Sequence, residues 1–365
     1  MSPILGRGKA RIHPVKAPAF PDLKIETKAP QPEYKTRRRV FRDATNSVAL
    51  LNREVLAGLL CCYTCRNALG GFLNPYLQSV LLGIVEGLTE FLPVSSTAHL
   101  RITEALMHIP LEDAYWKMYT IVIQLGAILA LCLLFTGRIV GFLRTFPKGE
   151  NGTRNIFTHP ISLTLIAFVC TSVPALALHK WSEKHLGSIT VIAIALLVGG
   201  ILMWVVDSWS ERHEPNTTDV EDMSWGQAVW IGLCQTTSAI FPGTSRSMST
   251  IAAGQLVGMD RNSALEFSFL LSIPTMFAAT AWDLIKEIHP SKAAEAAGVA
   301  TAHVVMTSDR WVVLAIGFVV SFFVALGVVE WFLMWVRRHG FVMFAVYRIL
   351  LGLALLIFGS QFIAS

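Results

Sequence analysis

Charged residues are scarce in this chain. Lys, Arg, Asp and Glu make up 15% of its 365 residues, whereas hydrophobic residues make up 53%, and the mean hydropathy is +0.53. A soluble helical protein carries polar residues along the outer face of each helix, and the long apolar runs of this chain almost lack such faces. The composition therefore excludes an ordinary soluble globular protein and predicts an all-α integral membrane protein with several spanning helices.

Cysteine is sparse as well, with six residues in the chain, and its placement does not indicate metal or redox chemistry. Three of the six lie inside apolar runs, where a thiol behaves as a small hydrophobic group. Cys62 and Cys65 form one C-x-x-C pair, but no second pair and no histidine ligands accompany it. We therefore predict that no cysteine has a catalytic or metal-binding role.

Six runs are long and apolar enough to cross a bilayer, since a spanning helix needs about 20 mainly apolar residues. Gly, Pro and Ser within several runs are tolerated in membrane helices, because neighbouring helices satisfy the freed backbone groups. The six runs are Met118–Phe135, Ile161–Leu178, Ile189–Val206, Ala264–Leu284, Trp311–Val336 and Phe341–Ala364.

Two further apolar stretches, Pro75–Leu106 and Trp225–Val257, are interrupted near their centres. Pro, Ser, Thr and Gly are concentrated at residues 93–97 of the first and 242–247 of the second, so neither half is long enough to span comfortably. Irregular backbone at membrane depth occurs only where it is buried in protein or lines a wet cavity. We predict two helix–break–helix hairpins that enter the membrane and return on the same side. A kinked, continuous span is the alternative.

The two interrupted stretches correspond to each other at an offset of 149 residues. Each is followed by three spanning candidates, and because three is an odd number of crossings, the second unit must be inverted relative to the first. The predicted fold is an inverted repeat of two units, about 75–207 and 225–365, each a re-entrant hairpin plus three transmembrane helices. The matching pairs are Gln78 with Gln227, Val80 with Val229, Gly83 with Gly232, Pro93 with Pro242 and Ser96 with Ser245.

Basic residues in short loops predict the orientation of the chain in the membrane. Four Lys or Arg residues lie between residues 136 and 159, and Arg337 and Arg338 precede the last span. In the six-span scheme both loops lie on one side, which we predict to be cytoplasmic, together with the acidic segment Asp207–Asp222. Both ends of the membrane domain then lie outside the cytoplasm.

Residues 1–74 differ from the rest of the chain. Residues 1–75 hold 13 Lys and Arg against 5 Asp and Glu, and Pro, Lys and Arg dominate through Arg42. This composition predicts a basic, disordered extension rather than a signal peptide, because no apolar core follows the basic start. The run Arg37–Arg39 could contact anionic lipid or nucleic acid. A solvated tail or a mis-set translation start is the favoured interpretation, and we predict no nucleic-acid partner.

Two carboxylates lie in the first hairpin, where a charge near the bilayer centre costs roughly 2.5–3.5 kcal/mol and is a functional candidate by default. Glu86 and Glu90 are four residues apart, so a helix places both on one face. A divalent cation would remove their mutual repulsion, and Mg²⁺ commonly uses one or two carboxylates plus substrate phosphates. The alternative is a pair of helix-end carboxylates that face solvent or a distant Lys.

Small hydroxyl residues follow the break in the first hairpin. Ser95, Ser96 and Thr97 can cap a helix, which is the commonest role of such residues. The same geometry directs free backbone N–H groups and the helix dipole toward an anion. His99 lies two residues further on and is a candidate nucleophile or general acid/base, although a lone histidine near an apolar face is usually structural.

Arg246 is the only Lys or Arg in the second hairpin, and it stands between Ser245 and Ser247. A guanidinium group binds phosphate as a bidentate fork, and flanking hydroxyl groups complete a cradle. Alternatively, Arg246 neutralises a glutamate of the first hairpin, which would still join the two hairpins. These residues together indicate a site for a phosphate ester and a metal ion within the membrane.

The hairpin motifs resemble those of undecaprenyl-pyrophosphate phosphatases of the bacitracin-resistance type. The resemblance runs from about Gln78 to the C-terminus, and it implies the inverted repeat with re-entrant hairpins and a site open to the periplasm. This chain departs from the family in Ala98, where members usually have Gly. The matching segments are E-G-L-T-E-F-L-P-V-S-S-T-A-H (Glu86–His99), P-G-T-S-R-S-M-S-T (Pro242–Thr250), E-F-S-F-L-L (Glu266–Leu271) and Tyr347-Arg348.

The resemblance also implies roles for single residues. It implies metal binding and catalysis by the two glutamates, catalysis by the histidine, and pyrophosphate binding by the second motif. The attacking group stays open among His99, Ser96 and a water molecule activated by Glu90. Our interpretation assigns catalysis to Glu90, His99, Ser96 and Arg246, phosphate binding to Ser95, Thr97, Ser245, Arg246, Ser247 and Thr250, and metal binding to Glu86 and Glu90.

We therefore expect a multi-pass phosphatase of the bacterial inner membrane that hydrolyses undecaprenyl pyrophosphate with Mg²⁺ or Ca²⁺. That reaction would recycle the lipid carrier of cell-wall synthesis and confer bacitracin resistance. The rival function is a transporter or flippase of the same lipid, because inverted repeats are common in transporters. A structural scaffold leaves the buried charges without purpose. The expected partners are a polyprenyl pyrophosphate lipid and the membrane, with a homodimer left open.

Overall fold

A computed structural model describes residues 74–110, 113–150, 152–185, 188–288 and 306–363. These residues form eleven α-helices and a short 3-10 helix (Val220–Asp222), without a β-strand. The basic extension and the C-x-x-C pair lie outside the described residues. The helices are α1 Pro75–Thr89, α2 Ser96–Leu106, α3 Ala114–Leu134, α4 Thr136–Thr145, α5 Pro160–His185, α6 Ile189–Ser210, α7 Trp225–Ile240, α8 Arg246–Leu256, α9 Arg261–Ile288, α10 Ser308–His339 and α11 Val342–Ile363.

Five of these helices, α3, α5, α6, α9 and α10, are long and apolar enough to cross a membrane. Each coincides with a run predicted from the sequence, so the all-α membrane architecture is confirmed. The last helix, α11, is apolar over Val342–Ile357 and packs along α6. The crossing by α11 stays a prediction.

Polar residues define where several helices begin. The side chains of Asn74, Asp113, Ser188, Ser224 and Thr307 each accept a hydrogen bond from a backbone N–H group in the first turn of the following helix. These bonds satisfy donors that have no partner within the helix. The long apolar helices therefore start where the sequence changes from loop to membrane-compatible residues.

Both interrupted stretches fold back on themselves. In the first hairpin the side-chain amide of Gln78, near the start of α1, contacts the carbonyl oxygen of Met107, just after α2, at 3.5 Å. In the second hairpin the side-chain amide of Gln227, near the start of α7, donates to the carbonyl oxygen of Val257, just after α8, at 3.0 Å. Both stretches are therefore helix–break–helix hairpins rather than continuous kinked helices. Their entry into the membrane and return on the same side stay a prediction.

The two hairpins open toward opposite ends of α10. The hydroxyl group of Tyr76 in α1 donates to Asp309, at the start of α10, at 3.4 Å. At the other end of α10, Asp207 accepts hydrogen bonds from the Phe341 backbone N–H and from Gln255 of α8, both at 2.9 Å. The breaks of the two hairpins consequently approach each other from opposite sides, as broken helices do in inverted repeats.

Glycines at corresponding positions allow corresponding helices to pack closely. A Cβ atom on Gly83 of α1 would collide with the Gly317 carbonyl of α10, and one on Gly232 of α7 would collide with the Ala167 carbonyl of α5. Gly232 lies 149 residues after Gly83, and Gly317 lies 150 residues after Ala167, so the two contacts join corresponding positions of the two units. The contacts support the predicted repeat.

The third spans of the two units show the same relation. A Cβ atom on Gly200 of α6 would lie 2.9 Å from the Ala345 carbonyl oxygen of α11, and one on Gly352 of α11 would lie 2.8 Å from that of Ala193 in α6. These two contacts are related by a shift of 152 residues, which differs from 149 because the loops of the two units differ in length. The inverted repeat as a whole stays a prediction that these contacts support.

Two of the segments that the sequence placed on one side do meet at one end of the bundle. Arg138, just after α3, forms ion pairs with Asp219 at 2.8 Å and with Glu266 of α9 at 2.6 Å. Arg154 pairs with Asp222 at 3.3 Å. The acidic segment before α7 therefore lies beside the basic loop after α3, and the compartment that this end faces stays a prediction.

Candidate active site

The breaks of the two hairpins contact each other in the interior of the bundle. Residues 90–95 form the first break and residues 241–245 form the second. The hydroxyl group of Ser247, in the first turn of α8, donates to the Leu92 carbonyl at 3.1 Å. A guanidinium nitrogen of Arg246 lies 3.3 Å from a carboxylate oxygen of Glu90. Residues 156 positions apart in sequence thus form one site.

An arginine from the last helix holds both breaks. Arg348 of α11 is fully buried and donates to the Pro93 carbonyl at 3.1 Å. Its other terminal nitrogen donates to the carbonyls of Gly243, Thr244 and Ala195 at 3.2, 2.8 and 3.2 Å. Sequence reasoning noticed this arginine only within the family motif. Its position in the middle of an apolar run could have marked Arg348 as a functional candidate, because charges are rare in membrane-spanning segments.

Each break ends in a serine with a left-handed backbone conformation. Ser95 has φ 75° before α2, and Ser245 has φ 70° before α8. Residues other than glycine adopt this region at a cost, and such strain concentrates at functional sites. The Ser245 hydroxyl group accepts from the Met248 N–H at 3.4 Å, whereas the Ser95 side chain makes no capping bond to α2. The first N–H groups of α2 are therefore not occupied by their own cap residue.

A cavity of about 170 Å³ lies between the starts of α2 and α8. Six of the predicted site residues line it, and together they offer hydroxyl, carboxylate and guanidinium groups. Three polar residues that sequence reasoning did not select also line it, because only the packing of α3, α7 and α9 brings them there. The predicted residues are Glu90, Ser95, Ser96, Thr97, Ser245 and Arg246, and the additional ones are Gln124, Ser238 and Thr275.

Glu90 connects the two hairpins chemically. One of its carboxylate oxygens accepts a hydrogen bond from the Ser96 hydroxyl group at 2.5 Å, and the other lies against Arg246. Glu90 and Arg246 are both largely buried. The second terminal nitrogen of the Arg246 guanidinium has no hydrogen-bond acceptor among the described residues. The site thus contains a hydroxyl group next to a base and a guanidinium nitrogen that is available to an anion.

Glu86 lies one helical turn before Glu90 and is almost completely buried, at 1% exposure. Neither of its carboxylate oxygens has a hydrogen-bond partner in the described part of the chain. It lines a second cavity of about 280 Å³ that shares Ser96, Thr97 and Gln124 with the first. A buried carboxylate without donors is the arrangement expected at a cation site.

The described residues contain no group of three or more His, Cys, Asp or Glu that could hold a metal ion. A cation at this site would therefore have the carboxylates of Glu86 and Glu90 as its protein ligands, and substrate oxygens and water would complete the coordination. This is the binding mode that Mg²⁺ commonly adopts. The two glutamates thus fit a divalent cation, and its presence and identity stay predictions.

His99 lies beside the site rather than within it. Its Nδ1 atom is 2.7 Å from the Ser95 carbonyl oxygen, which can only accept, so Nδ1 carries the hydrogen. Its Nε2 atom is 2.6 Å from the hydroxyl group of Tyr347, and the two rings stack at 5.6 Å. His99 lines neither cavity. Both ring nitrogens are engaged, and the catalytic role of His99, as a nucleophile or a general acid/base, stays a prediction.

Two residues predicted to bind phosphate also lie outside the cavity wall. Ser247 is buried, and its hydroxyl group contacts Leu92 and Ser245. Thr250 is buried as well, and its hydroxyl group lies 2.6 Å from that of Ser268 in α9. These placements do not support direct phosphate contacts by Ser247 and Thr250. Their contacts instead hold α8 against the first break and against α9.

The sequence matches one protein family and many curated proteins. The profile of the family described as "Bacitracin resistance protein BacA" matches residues 79–354. The undecaprenyl-diphosphatase of Koribacter versatilis is 59% identical over 285 residues, which cover 78% of this chain and 98% of that protein. The undecaprenyl-diphosphatase of Caldanaerobacter subterraneus is 40% identical over 286 residues, covering 78% and 96%. The family match contains every residue of the two cavities and both hairpins except the first four residues of α1.

Proposed function

The chain belongs to the family of bacitracin resistance protein BacA and is a membrane phosphatase, and from that premise we propose that its substrate is undecaprenyl pyrophosphate. The reaction removes the terminal phosphate and leaves undecaprenyl phosphate and inorganic phosphate. It recycles the lipid carrier of cell-wall synthesis and, by consuming the pyrophosphate form, gives resistance to bacitracin. Relatives at 59% and 40% identity carry the name undecaprenyl-diphosphatase, which supports this substrate.

The observation that carries the proposal is the meeting of Glu90, Ser96 and Arg246 in one cavity. The guanidinium fork suits the non-bridging oxygens of a phosphate group. Hydroxyl groups of Thr97 and Ser245 line the same wall, and the start of α2 favours an anion through its free N–H groups and dipole. The cavity is thus suited to the pyrophosphate, while the polyprenyl chain stays in the membrane.

The hydrogen bond between Ser96 and Glu90 supports Ser96 as the attacking group. Glu90 takes the hydroxyl proton of Ser96 while the Ser96 Oγ atom forms a bond to the terminal phosphorus. The bond from that phosphorus to the bridging oxygen breaks, and undecaprenyl phosphate leaves with the electron pair. A water molecule then loses a proton to a carboxylate and forms a bond to the phosphorus of the phosphoserine. The bond between that phosphorus and the Ser96 Oγ atom breaks, Ser96 takes back the proton held by Glu90, and inorganic phosphate is released. Arg246 stabilises the charge on the transferred phosphoryl group throughout.

A divalent cation, Mg²⁺ or Ca²⁺, would be held by Glu86 and Glu90. When bound, it would neutralise charge on the phosphate oxygens and orient them. The free oxygens of Glu86 make this residue the more available protein ligand, because Glu90 already contacts Ser96 and Arg246.

The site faces the periplasm of a bacterial inner membrane in this proposal. The second cavity extends from Glu86 toward Lys117, near the start of α3. The basic loop of Arg138 follows the opposite end of α3. If that loop is cytoplasmic, as basic short loops are, the cavity opens on the other side. A homodimer stays a prediction.

A flippase for the same lipid is the alternative function, and purified protein distinguishes the two. We expect the full chain in detergent, given undecaprenyl pyrophosphate and Mg²⁺, to release inorganic phosphate. A flippase needs a membrane with two sides, whereas hydrolysis does not. The control is the Ser96→Ala variant, which should release none. Lipid movement across sealed vesicles without any phosphate release in detergent would contradict the phosphatase proposal.

We further expect a phosphorylated Ser96 during turnover. In a rapid-quench experiment with enzyme in excess over substrate labelled in the terminal phosphate, the protein should carry an acid-stable label on the peptide that contains Ser96. The His99→Gln variant should still form it, because His99 lies outside the cavity. An acid-labile label on His99, or no labelled protein at any quench time, would show that the attacking group is the imidazole or water.

A further inference from the structure

Arg348 is a buried cation that the reaction described above does not use. It is fully buried in α11, and it has no carboxylate partner among the described residues. Its guanidinium group instead donates to four backbone carbonyl groups. A buried charge is costly unless it is well hydrogen-bonded. The presence of an arginine here therefore requires a reason beyond the packing of an apolar helix.

The acceptors of Arg348 come from both breaks. Pro93 belongs to the first break, and Gly243 and Thr244 belong to the second. Helix starts leave N–H groups without partners and are attractive to anions, whereas carbonyl oxygens repel them. By binding these three carbonyl oxygens, Arg348 fixes their direction. Arg348 itself does not line the cavity and so acts through the backbone.

The surrounding helix leaves room for this one guanidinium group. A Cβ atom on Gly199 of α6 would collide with a terminal nitrogen of Arg348 and would lie 2.8 Å from the Met248 side chain. At the shift of 152 residues that relates the glycine contacts of α6 and α11, the position corresponding to Arg348 is Leu196, which is buried and apolar. One unit therefore supplies the cation, and it serves the breaks of both units.

We propose that Arg348 is a positioning residue that holds the carbonyl groups of the two breaks away from the phosphate site and fixes the breaks relative to each other. The proposal rests on the phosphatase function for its kinetic consequences. Its structural consequence, ordering of both breaks by one side chain, is independent of that function.

The first test replaces Arg348 directly. Arg348→Met keeps an unbranched chain of similar length but removes the donors, and kcat should fall at least roughly 100-fold, as for other losses of preorganised contacts. Arg348→Lys keeps one cationic donor group and should recover part of that loss. The KM for undecaprenyl pyrophosphate should change much less than kcat, because Arg348 does not touch the substrate. Near wild-type kcat in a folded Arg348→Met variant would overturn the proposal.

A pair of glycine variants separates positioning from helix packing. Gly199→Ala and Gly200→Ala both insert a methyl group between α6 and α11, but only the first collides with the guanidinium group. We expect both variants to lower the thermal midpoint. Gly199→Ala should also lower kcat at a temperature where the protein is folded, and Gly200→Ala should not. Equal losses of kcat in the two variants would show that Arg348 only supports packing.

Hydrogen–deuterium exchange provides a readout that does not depend on activity. In Arg348→Met, amide exchange should become faster in the peptides that cover residues 90–98 and 241–248. Asp207→Asn is the matched control, since Asp207 ties α6 to α8, α9 and the start of α11 at the other end of these helices. It should destabilise the protein without faster exchange at the breaks. Unchanged exchange at both breaks in Arg348→Met would refute the positioning proposal, whether or not the wild-type protein releases phosphate. Absence of phosphate release by the wild-type protein would refute the phosphatase function alone.

Discussion

The Glu90→Gln variant should lose essentially all phosphate release, a decrease of roughly 10³-fold or more. The Glu86→Gln variant should release phosphate much more slowly than wild type. Both variants should still insert in the membrane. The Glu90 carboxylate accepts a hydrogen bond from the Ser96 hydroxyl group, and the two oxygen atoms are 2.5 Å apart. An amide has the same shape but cannot take the proton, so the nucleophile stays protonated. Glu86 contributes two buried oxygens without partners, and its amide variant can no longer neutralise a cation.

The metal dependence distinguishes the two glutamates. Glu86→Gln should raise the Mg²⁺ concentration needed for half-maximal activity, and excess Mg²⁺ should restore part of the rate. Excess Mg²⁺ should not restore Glu90→Gln, because the missing group is a base. A chelator should stop the wild-type enzyme. Near-normal phosphate release by both variants in the presence of chelator would rule out the metal site.

Glu104→Gln is a matched control for these substitutions. Glu104 is also a buried carboxylate, and it lines the second cavity, but it lies eight residues after Ser96 on α2 and does not line the first cavity. The substitution changes the charge of the same region without changing the base or the expected cation ligands. We therefore expect its turnover to stay within a few-fold of wild type. A loss as large as that of Glu90→Gln would indicate that total charge, rather than position, controls the reaction.

The helices and the hairpins were predictable because both depend on local properties of the sequence. Run length selects spanning helices. A cluster of Pro, Ser, Thr and Gly, as at residues 93–97 and 242–247, ends a helix, whereas the single Pro174 of α5 and Pro274 of α9 do not. The i, i+4 spacing of Glu86 and Glu90 was also sufficient to place both carboxylates on the side of the site. These inferences require only helix geometry and the cost of unsatisfied backbone in a membrane.

Apart from the pairing of Arg246 with a glutamate, the partners within the site were not predictable, because they depend on how helices rotate and pack. His99 lies only three residues after Ser96, yet it points to Tyr347 of α11 instead of the cavity. Gln124 and Thr275 reach the cavity from α3 and α9, and no local pattern marks them. The Ser96–Glu90 bond likewise depends on the path of the first break, since a continuous helix would not bring residues six apart into direct contact.

Arg246 provides the second large effect. Its guanidinium group lies 3.3 Å from Glu90 through one terminal nitrogen, and the other terminal nitrogen has no acceptor among the described residues. Two functions are compatible with this geometry. Arg246 binds phosphate through a planar fork, or it only balances the charge of Glu90. The two functions make opposite predictions for a lysine at this position.

Arg246→Lys keeps the positive charge but replaces the fork by a compact ammonium group. If the fork binds phosphate, turnover should fall substantially in Arg246→Lys and almost vanish in Arg246→Ala. Loss of one contact made in the transition state costs about 3–4 kcal/mol, a few hundred-fold in rate, by analogy with oxyanion-donor deletions. If Arg246 only balances charge, Arg246→Lys should work well, and Arg246→Ala should mainly lower the thermal midpoint.

Arg261→Lys supplies the matched control for a structural arginine. Arg261, at the start of α9, pairs with the fully buried Asp207 at 2.8 Å. Arg261 does not line the cavity that contains Arg246. Its conversion to lysine should change the thermal midpoint slightly and leave kcat near wild type. Turnover and thermal midpoint are therefore measured side by side for Arg246→Lys, Arg246→Ala and Arg261→Lys. A large loss of kcat in Arg246→Lys at an unchanged midpoint identifies the phosphate fork, whereas wild-type turnover in that variant would reduce Arg246 to a counter-ion of Glu90.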